Sequence, residues 1–304
     1  MKNTLITILV VAVVGLGAYM LFQTPSDKVP VTQDSSVNTT QADGNTQTDA
    51  SVVKKENKEK TVIGKSVGGR DIVAYHFGTG NSEILFVGGI HGGYEWNTSL
   101  VAYEAMDYFK ANLSIIPANV KITVIPVLNP DGLYKVVGTT EKFSASQVSP
   151  SQTIQTAGRF NANNVDLNRN FDCDWKSTAK WQSRTVSGGS SMFSEPESLA
   201  IKSYVEVNKP TAVITWYSAA GGVYSSSCET GISSETKTIT KKYADASGYP
   251  SYESFDSYET TGDMVNWFAK NSIPAISVLL TNHEDTEWTK NKAGIDSLLK
   301  YYAK

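Results

Sequence analysis

The longest apolar run lies at the start of the chain, where residues 5–22 (LITILVVAVVGLGAYMLF) carry no charge. These 18 residues approach the roughly 20 that a helix needs to cross a bilayer. Lys2 holds the amino terminus inside, so the remainder is expected on the outer side of the membrane. Gly15-Leu16-Gly17 is only a weak small-x-small cleavage site. An uncleaved anchor is therefore expected over residues 1–22, with a cleaved signal peptide and secretion as the alternative. No cysteine lies near the end of the segment, which argues against a lipoprotein. Residues 23–60 are rich in Thr, Ser, Asp, Asn, Gln and Lys and end in KKENKEK. Such a composition buries too little apolar area to offset ordering entropy, and it reads as a flexible polar tether.

The pattern changes from residue 61 onwards. RDIVAYHFG and SEILFVGGI read as strands, the second apolar enough to be covered on both faces. Residues 97–113 follow with helical spacing, then KITVIPVLN as another buried strand. SEPESLAIKSYVEV begins with a Ser194-x-x-Glu197 capping box opening a helix. TAVITWYS and IPAISVLLT read as strands, and helices are expected at 233–247, 261–271 and 291–303. Strands alternating with helices predict one α/β domain over 61–304, with a largely parallel sheet covered on both faces. Ligand sites in such folds lie beyond the carboxyl ends of the strands.

Charge and scarce residue types narrow the chemistry. With 27 basic against 30 acidic side chains, no overall positive field exists to hold phosphate backbones, so nucleic acid is not expected as a partner. Only His76, His91 and His283 could serve a metal, and His76 lies in a strand-like segment far from every motif. Cys173 and Cys228 are the only cysteines. In an exported chain they are expected to form one disulfide pinning two loops, with two free thiols as the alternative.

GGIHGGYEWNT sets His91 and Glu95 in a glycine-rich turn between a strand and a helix. An imidazole and a carboxylate from one turn can both bind a zinc ion, while glycines permit close backbone approach. An ordinary hydrogen-bonding histidine is the alternative reading. NPDGL follows a strand, and GRFNANNVDLNRNF gathers Arg159, Asn168 and Arg169. Guanidinium groups beside a carboxamide suit recognition of a carboxylate or stabilisation of an oxyanion, although isolated arginines also serve in surface ion pairs.

In this order HGGYE, NPDG, VDLNRNF, FSEPES and TGDMVNW resemble the zinc carboxypeptidase family typified by pancreatic carboxypeptidase A. The resemblance spans essentially all of residues 61–304. It implies a three-layer α/β/α sandwich on a mixed, mainly eight-stranded sheet, one zinc ion, and removal of the carboxyl-terminal residue of a peptide. Bacterial branches of the family include enzymes that trim cell-wall peptides. By this resemblance His91 and Glu95 are the first two zinc ligands, although three residues separate them here where the family usually has two. Arg159 resembles the arginine that polarises the scissile carbonyl, and Asn168 with Arg169 resemble the pair that grips the terminal carboxylate. Tyr258 takes the place of the tyrosine that closes over substrate, and Val265 is expected to line the terminal side-chain pocket.

Two positions depart from the pattern. Where the family has a histidine before serine as third ligand, this sequence has Tyr217 before Ser218, and where it has the catalytic glutamate, IPAISVLL has Leu279. Leucine cannot take a proton from water, and catalytic zinc normally has three protein ligands. His283 in TNHEDTEW could substitute as ligand or base, and a Tyr217 phenolate is a further, uncommon ligand. Two functions follow: a non-catalytic binder of peptide or cell-wall carboxyl termini, or an active metallocarboxypeptidase with a rearranged site. The first is favoured on the residues.

Overall fold

A computed structural model of the chain describes residues 59–303, within a unit running from Lys55 to Lys304. The expected anchor at 1–22 and nearly all of the expected tether lie outside the described residues. Among the described residues, no helix is long and apolar enough to cross a membrane.

The sheet contains β1 (Lys60–Lys65), β2 (Asp71–Phe77), β3 (Ser82–Val87), β4 (Val120–Ile125), β7 (Ala212–Ser218), β8 (Gly222–Ser225), β9 (Ser251–Tyr252) and β10 (Ala275–Leu280). A separate hairpin pairs β5 (Thr178–Trp181) with β6 (Arg184–Ser187). The eight strands of the main sheet lie in the order β1-β2-β4-β3-β7-β10-β8-β9. The centre, β4-β3-β7-β10, is parallel. Antiparallel pairing of β1 with β2, β2 with β4 and β10 with β8 makes the sheet mixed.

Alternation along the central strands builds two cores. Ile84 and Phe86 of β3 pack with Val101 and Phe109 of α1 (Trp96–Ala111), Tyr243 of α5 (Ser234–Ser247) and Leu298 of α7 (Trp288–Tyr302). Leu85 and Val87 point the other way, to Ile201 of α4 (Pro196–Asn208) and Phe268 of α6 (Met264–Lys270). Helices on both faces explain the near-continuous apolar runs, because each side chain of such a strand is buried by one layer or the other. The α/β/α architecture on a mixed eight-stranded sheet is thus the one expected.

Several local expectations are corrected. The Ser194–Glu197 capping box does not form: Glu195 is the N-cap residue of α4 and makes no side-chain capping bond. The fully buried Glu197 carboxylate instead accepts from Val67 N at 3.1 Å and Asn161 Nδ2 at 3.2 Å, tying α4 to distant loops. The helix expected from 261 starts at Met264, because Gly262 adopts φ +64°. Asp263 caps it by accepting from Asn266 N at 2.9 Å. β4 ends at Ile125, and Leu128 and Asn129 continue by donating from their amides to Gly88 and Gly89 outside the strand pairing.

The expected disulfide between Cys173 and Cys228 is present, with Cα atoms 6.1 Å apart. It joins the loop after the VDLNRNF segment to the loop after β8.

Candidate functional site

Beyond the carboxyl ends of β3, β7 and β10, a cavity of about 200 Å³ is lined by His91, Glu95, Asn168, Arg169, Tyr217 and Leu279, among others. β3 leads to β4 on one side, while β7 and β10 lie on the other, so the crevice opens where the strand order reverses. The turn from β3 into α1 delivers His91 and Glu95. Gly92 has φ +46°, and a Cβ at Gly93 would stand 2.2 Å from Val136 Cγ2, so this turn has room only for glycine.

His91 Nδ1 lies 2.9 Å from Glu95 Oε1, yet the two are not aligned as a hydrogen bond, and among the described residues neither ring nitrogen has a hydrogen-bond partner. Glu95 Oε2 accepts from Ser218 N at 3.1 Å, which orients the carboxylate from the end of β7. On the other side of the ring, His91 Nε2 is 3.6 Å from Asp166 Oδ1. Burial opposes the charge of Glu95 and Asp166, but the groups around them outweigh it. His91, Arg159 and His283 hold Glu95 below the ordinary carboxylate range. Arg159, His91 and Arg169 hold Asp166 far below it.

Arg159 is buried among these carboxylates. Its Nε donates to Asp166 Oδ2 at 2.8 Å and Nη1 lies 3.7 Å from Glu95 Oε1. The Trp181 ring of the β5–β6 hairpin lies 4.4 Å from its guanidinium carbon. The guanidinium is not among the residues that line the cavity; it acts as counter-charge to Glu95 and Asp166, and its Nη2 has no hydrogen-bond partner among the described residues. NPDG supports it from behind: Asn129 Oδ1 accepts from Gly132 N at the start of α2 (Pro130–Val137), and its Nδ2 donates to Arg159 O at 3.2 Å.

Arg169 faces the cavity. It is 1% exposed, with Nε donating to Lys180 O at 2.9 Å and Nη1 to Asn168 O at 2.6 Å, which leaves Nη2 without a partner among the described residues. Asn168 is more heavily engaged. Its Oδ1 accepts from Met264 N at 3.0 Å and from Tyr217 Oη at 3.3 Å, while Nδ2 donates to Asp263 Oδ2 at 2.7 Å. Tyr258 lines the same cavity, with its ring centre 5.9 Å from the Arg169 guanidinium carbon. Val265, expected in the pocket, is instead 1% exposed in the core under the sheet, and its neighbour Asn266 takes the place on the wall. The N-cap at Asp263 sets that helical phase.

Residues 52–296 match the profile of a family described as zinc carboxypeptidase. The chain belongs to the zinc carboxypeptidase family. Metallocarboxypeptidase A of Trichophyton tonsurans is 35% identical over 132 residues, which make up 40% of this chain and 29% of that protein. The chain thus matches less than a third of the length of this relative. Bovine thrombin-activatable fibrinolysis inhibitor, solved with tick carboxypeptidase inhibitor, aligns with a TM-score of 0.62 at 17% identity over 80% of this chain and 87% of its own. Murein-tripeptide amidase MpaA of Escherichia coli O157 aligns with a TM-score of 0.55 at 18% identity over 81% and 94%. At such identities the likeness is one of fold.

Zinc is the metal of this family, and His91 and Glu95 are the residues expected to hold it. His91 Nδ1 and Glu95 Oε1 stand side by side without a hydrogen bond, as two ligands of one cation would. Among the described residues, no third His, Cys, Asp or Glu offers a donor close enough to both to complete a set. Cys173, Asp174 and Cys228 cluster elsewhere, but both sulfurs are in the disulfide. Tyr217 is buried, and burial, Asp263 and Glu95 push its hydroxyl far above the ordinary phenol range, so it remains neutral and donates to Asn168. His283 Nδ1 lies 3.2 Å from Ser218 Oγ, its ring 4.7 Å from that of Tyr94. Burial lowers its pKa, outweighing the Glu95 carboxylate. It stands near the pair without joining it, and the residues present do not fit a catalytic zinc ion.

Asp166, Asp263, Ser218 and Trp181 belong to the site although their residue types alone did not mark them. Asp166 had a local signal, a carboxylate directly before the LNR turn that it caps by accepting from Asn168 N at 3.1 Å.

Proposed function

We propose that this domain binds the free carboxyl terminus of peptides, cell-wall peptides among them, and does not hydrolyse it. The observation that carries the reading is Arg169, a buried guanidinium on the cavity wall whose Nη2 lacks a partner among the described residues. A carboxylate is the natural complement of such a group, because charge-assisted hydrogen bonds in a poorly solvated site are the strong ones. The opposite wall carries a neutral phenol at Tyr217 and an aliphatic side chain at Leu279, neither of which can bind and deprotonate a water molecule. Asn168 serves Arg169 as a fixed neighbour, and Tyr258 closes over the bound terminus. An anchor at 1–22 and a tether at 23–60 would hold the domain outside a membrane, where cell-wall peptides are found.

The experiment is a binding and turnover comparison on the full-length protein. A peptide acid should bind about 10- to 100-fold more tightly than its carboxyl-terminal amide, the worth of one or two charge-assisted bonds. Arg169→Ala should abolish that difference, metal content should stay far below one zinc per chain, and no residue should be released with or without added zinc. Stoichiometric zinc with chelator-sensitive release of carboxyl-terminal residues would establish instead an active enzyme using His283 or another substitute ligand.

A further inference from the structure

The cavity stops short of Arg159, and one side chain stands in the way. Trp181 of β5 lies with its ring 4.4 Å from the Arg159 guanidinium carbon, and its strand partner Arg184 approaches the same ring to 5.0 Å. Tyr94, with its ring centre 4.9 Å away, and Phe160, at 6.1 Å, pack against Trp181 edge to face and complete the cover. Beneath it Arg159 is 1% exposed, and its Nη2 is a buried donor without a partner among the described residues. An unmatched donor in a poorly solvated place costs free energy that an acceptor would recover.

A second cavity, of about 620 Å³, begins at Tyr94 and His283 and shares no lining residue with the first. Tyr94 and Glu95 are consecutive in one turn, yet Tyr94 lines the second cavity and Glu95 the first. Arg159 stands between them, its Nη1 3.7 Å from Glu95 and its guanidinium carbon 5.7 Å from the Tyr94 ring. The cover can shift as a unit, because β5 and β6 form a two-stranded sheet outside the main one and a hairpin alone adds little rigidity. At its base Asp166 N donates to Ser187 O, whereas at its tip Lys180 O accepts from Arg169 Nε. The tip is thus tied to the carboxylate-binding arginine itself.

Resting on the carboxylate-binding reading above, we propose that Trp181 is a lid over Arg159, displaced by a peptide long enough to run from Arg169 towards the second cavity. With the lid open, Arg159 Nη2 donates to an acceptor in the peptide chain. Trp181 thereby sets how much affinity the protein gains from the length of its ligand. A ligand that ends short of Arg159 binds with the lid shut. A longer one binds the open form, and its apparent affinity is reduced by the fraction of chains that are open. The reduction is about tenfold or more, the effect of one desolvated cation–π contact.

Three ligands test this on the full-length protein: isobutyrate, acetyl-Ala-Ala-Ala and the carboxyl-terminal amide of that tripeptide. Isobutyrate keeps the carboxylate and the methyl branch of a terminal alanine but has no peptide group. In Trp181→Ala and Trp181→Leu, which remove the aromatic cover, the affinity of the tripeptide acid relative to isobutyrate should rise about tenfold over the wild type. A ratio unchanged or lowered in both variants overturns the lid, because a tryptophan that only supports its neighbours gives no gain when removed. On the wild type, the tripeptide acid should red-shift tryptophan emission as the buried indole meets water, and isobutyrate should not. No shift with the tripeptide, the same shift with isobutyrate, or a shift that persists in Trp181→Phe overturns the inference and leaves the carboxylate reading standing. Equal binding of the tripeptide acid and its amide removes the carboxylate reading itself.

Discussion

Leu279 stands beside Tyr217, residue against residue, on the neighbouring parallel strands β10 and β7. Both side chains face the layer of α4 and α6, while Trp216 and Leu280 turn to the opposite core. The two residues expected to depart from the family pattern are therefore a packed pair. A glutamate at 279 would place a charge in a buried position next to a neutral phenol. Leu279→Glu alone is expected to lower stability by about 1–3 kcal/mol, read from denaturant unfolding. Tyr217→His alone should raise zinc affinity without turnover. The double substitution should take up about one zinc per chain and release carboxyl-terminal residues. A double variant that binds zinc yet stays inert would mean that the buried, Trp181-covered Arg159 also has to open.

Gly262 presses the loop carrying Tyr258 against the backbone of Arg169. Its φ is +64°, and an added Cβ would stand 2.2 Å from Arg169 O. Its carbonyl accepts from Phe171 N and its amide donates to Cys173 O. Gly262→Ala should cost about 1–3 kcal/mol in unfolding experiments through strain and displacement. Because the displaced atom belongs to Arg169, affinity for a peptide acid should fall together with its advantage over the amide.

The disulfide closes a separation of 55 residues between two loops that flank the cavity. Replacing both cysteines by serine should destabilise the domain by about 2–4 kcal/mol, most of it through the unfolded chain. Unfolding with and without reductant measures this on the unmodified protein. Equal stability in the two conditions would show that the native loops need no tie.

Glu287 governs the loop that carries His283. Its carboxylate accepts from Thr281 N at 2.6 Å, Thr281 Oγ1 at 2.8 Å, Tyr249 Oη at 2.7 Å and Lys290 Nζ at 2.6 Å. Burial would raise its pKa, but these donors, Lys290 first, lower it from 4.5 to about 2. A carboxyl group depressed on folding contributes stability above its unfolded value and loses it as pH falls through its folded one. The wild type should therefore exceed Glu287→Gln in stability at neutral pH by a constant margin. That margin should shrink from about pH 4.5 and vanish near pH 2, as thermal unfolding across this range would show.

Much of the fold was legible along the chain because its cause is local. Buried strands covered on both faces must be apolar throughout, so SEILFV and AVITWYS announced themselves. Of the strands that escaped notice, β5, β6, β8 and β9 are two to four residues long, too short for any period to emerge, and β1, six residues long, is a largely exposed edge strand without an apolar run. The His91–Glu95 pair was also legible, since one glycine-rich turn delivers both groups.

What the sequence determined by itself was the inventory: which motifs flank the cavity, and that a phenol and a leucine stand where a ligand and a base are expected. Tertiary structure alone decided what each group faces. The side chain at 159 is an arginine in any conformation, but packing set Trp181 over it and two carboxylates beside it. Val265 sits one place from Asn266, yet helical phase buries one and presents the other to the cavity. The carboxylate of Glu197 crosses to Val67, and Leu279 meets Tyr217 through strand register. Each outcome depends on which distant segment arrives to supply or withhold a partner, and the free energy of a buried charge or hydrogen bond resides in that partner rather than in the residue alone.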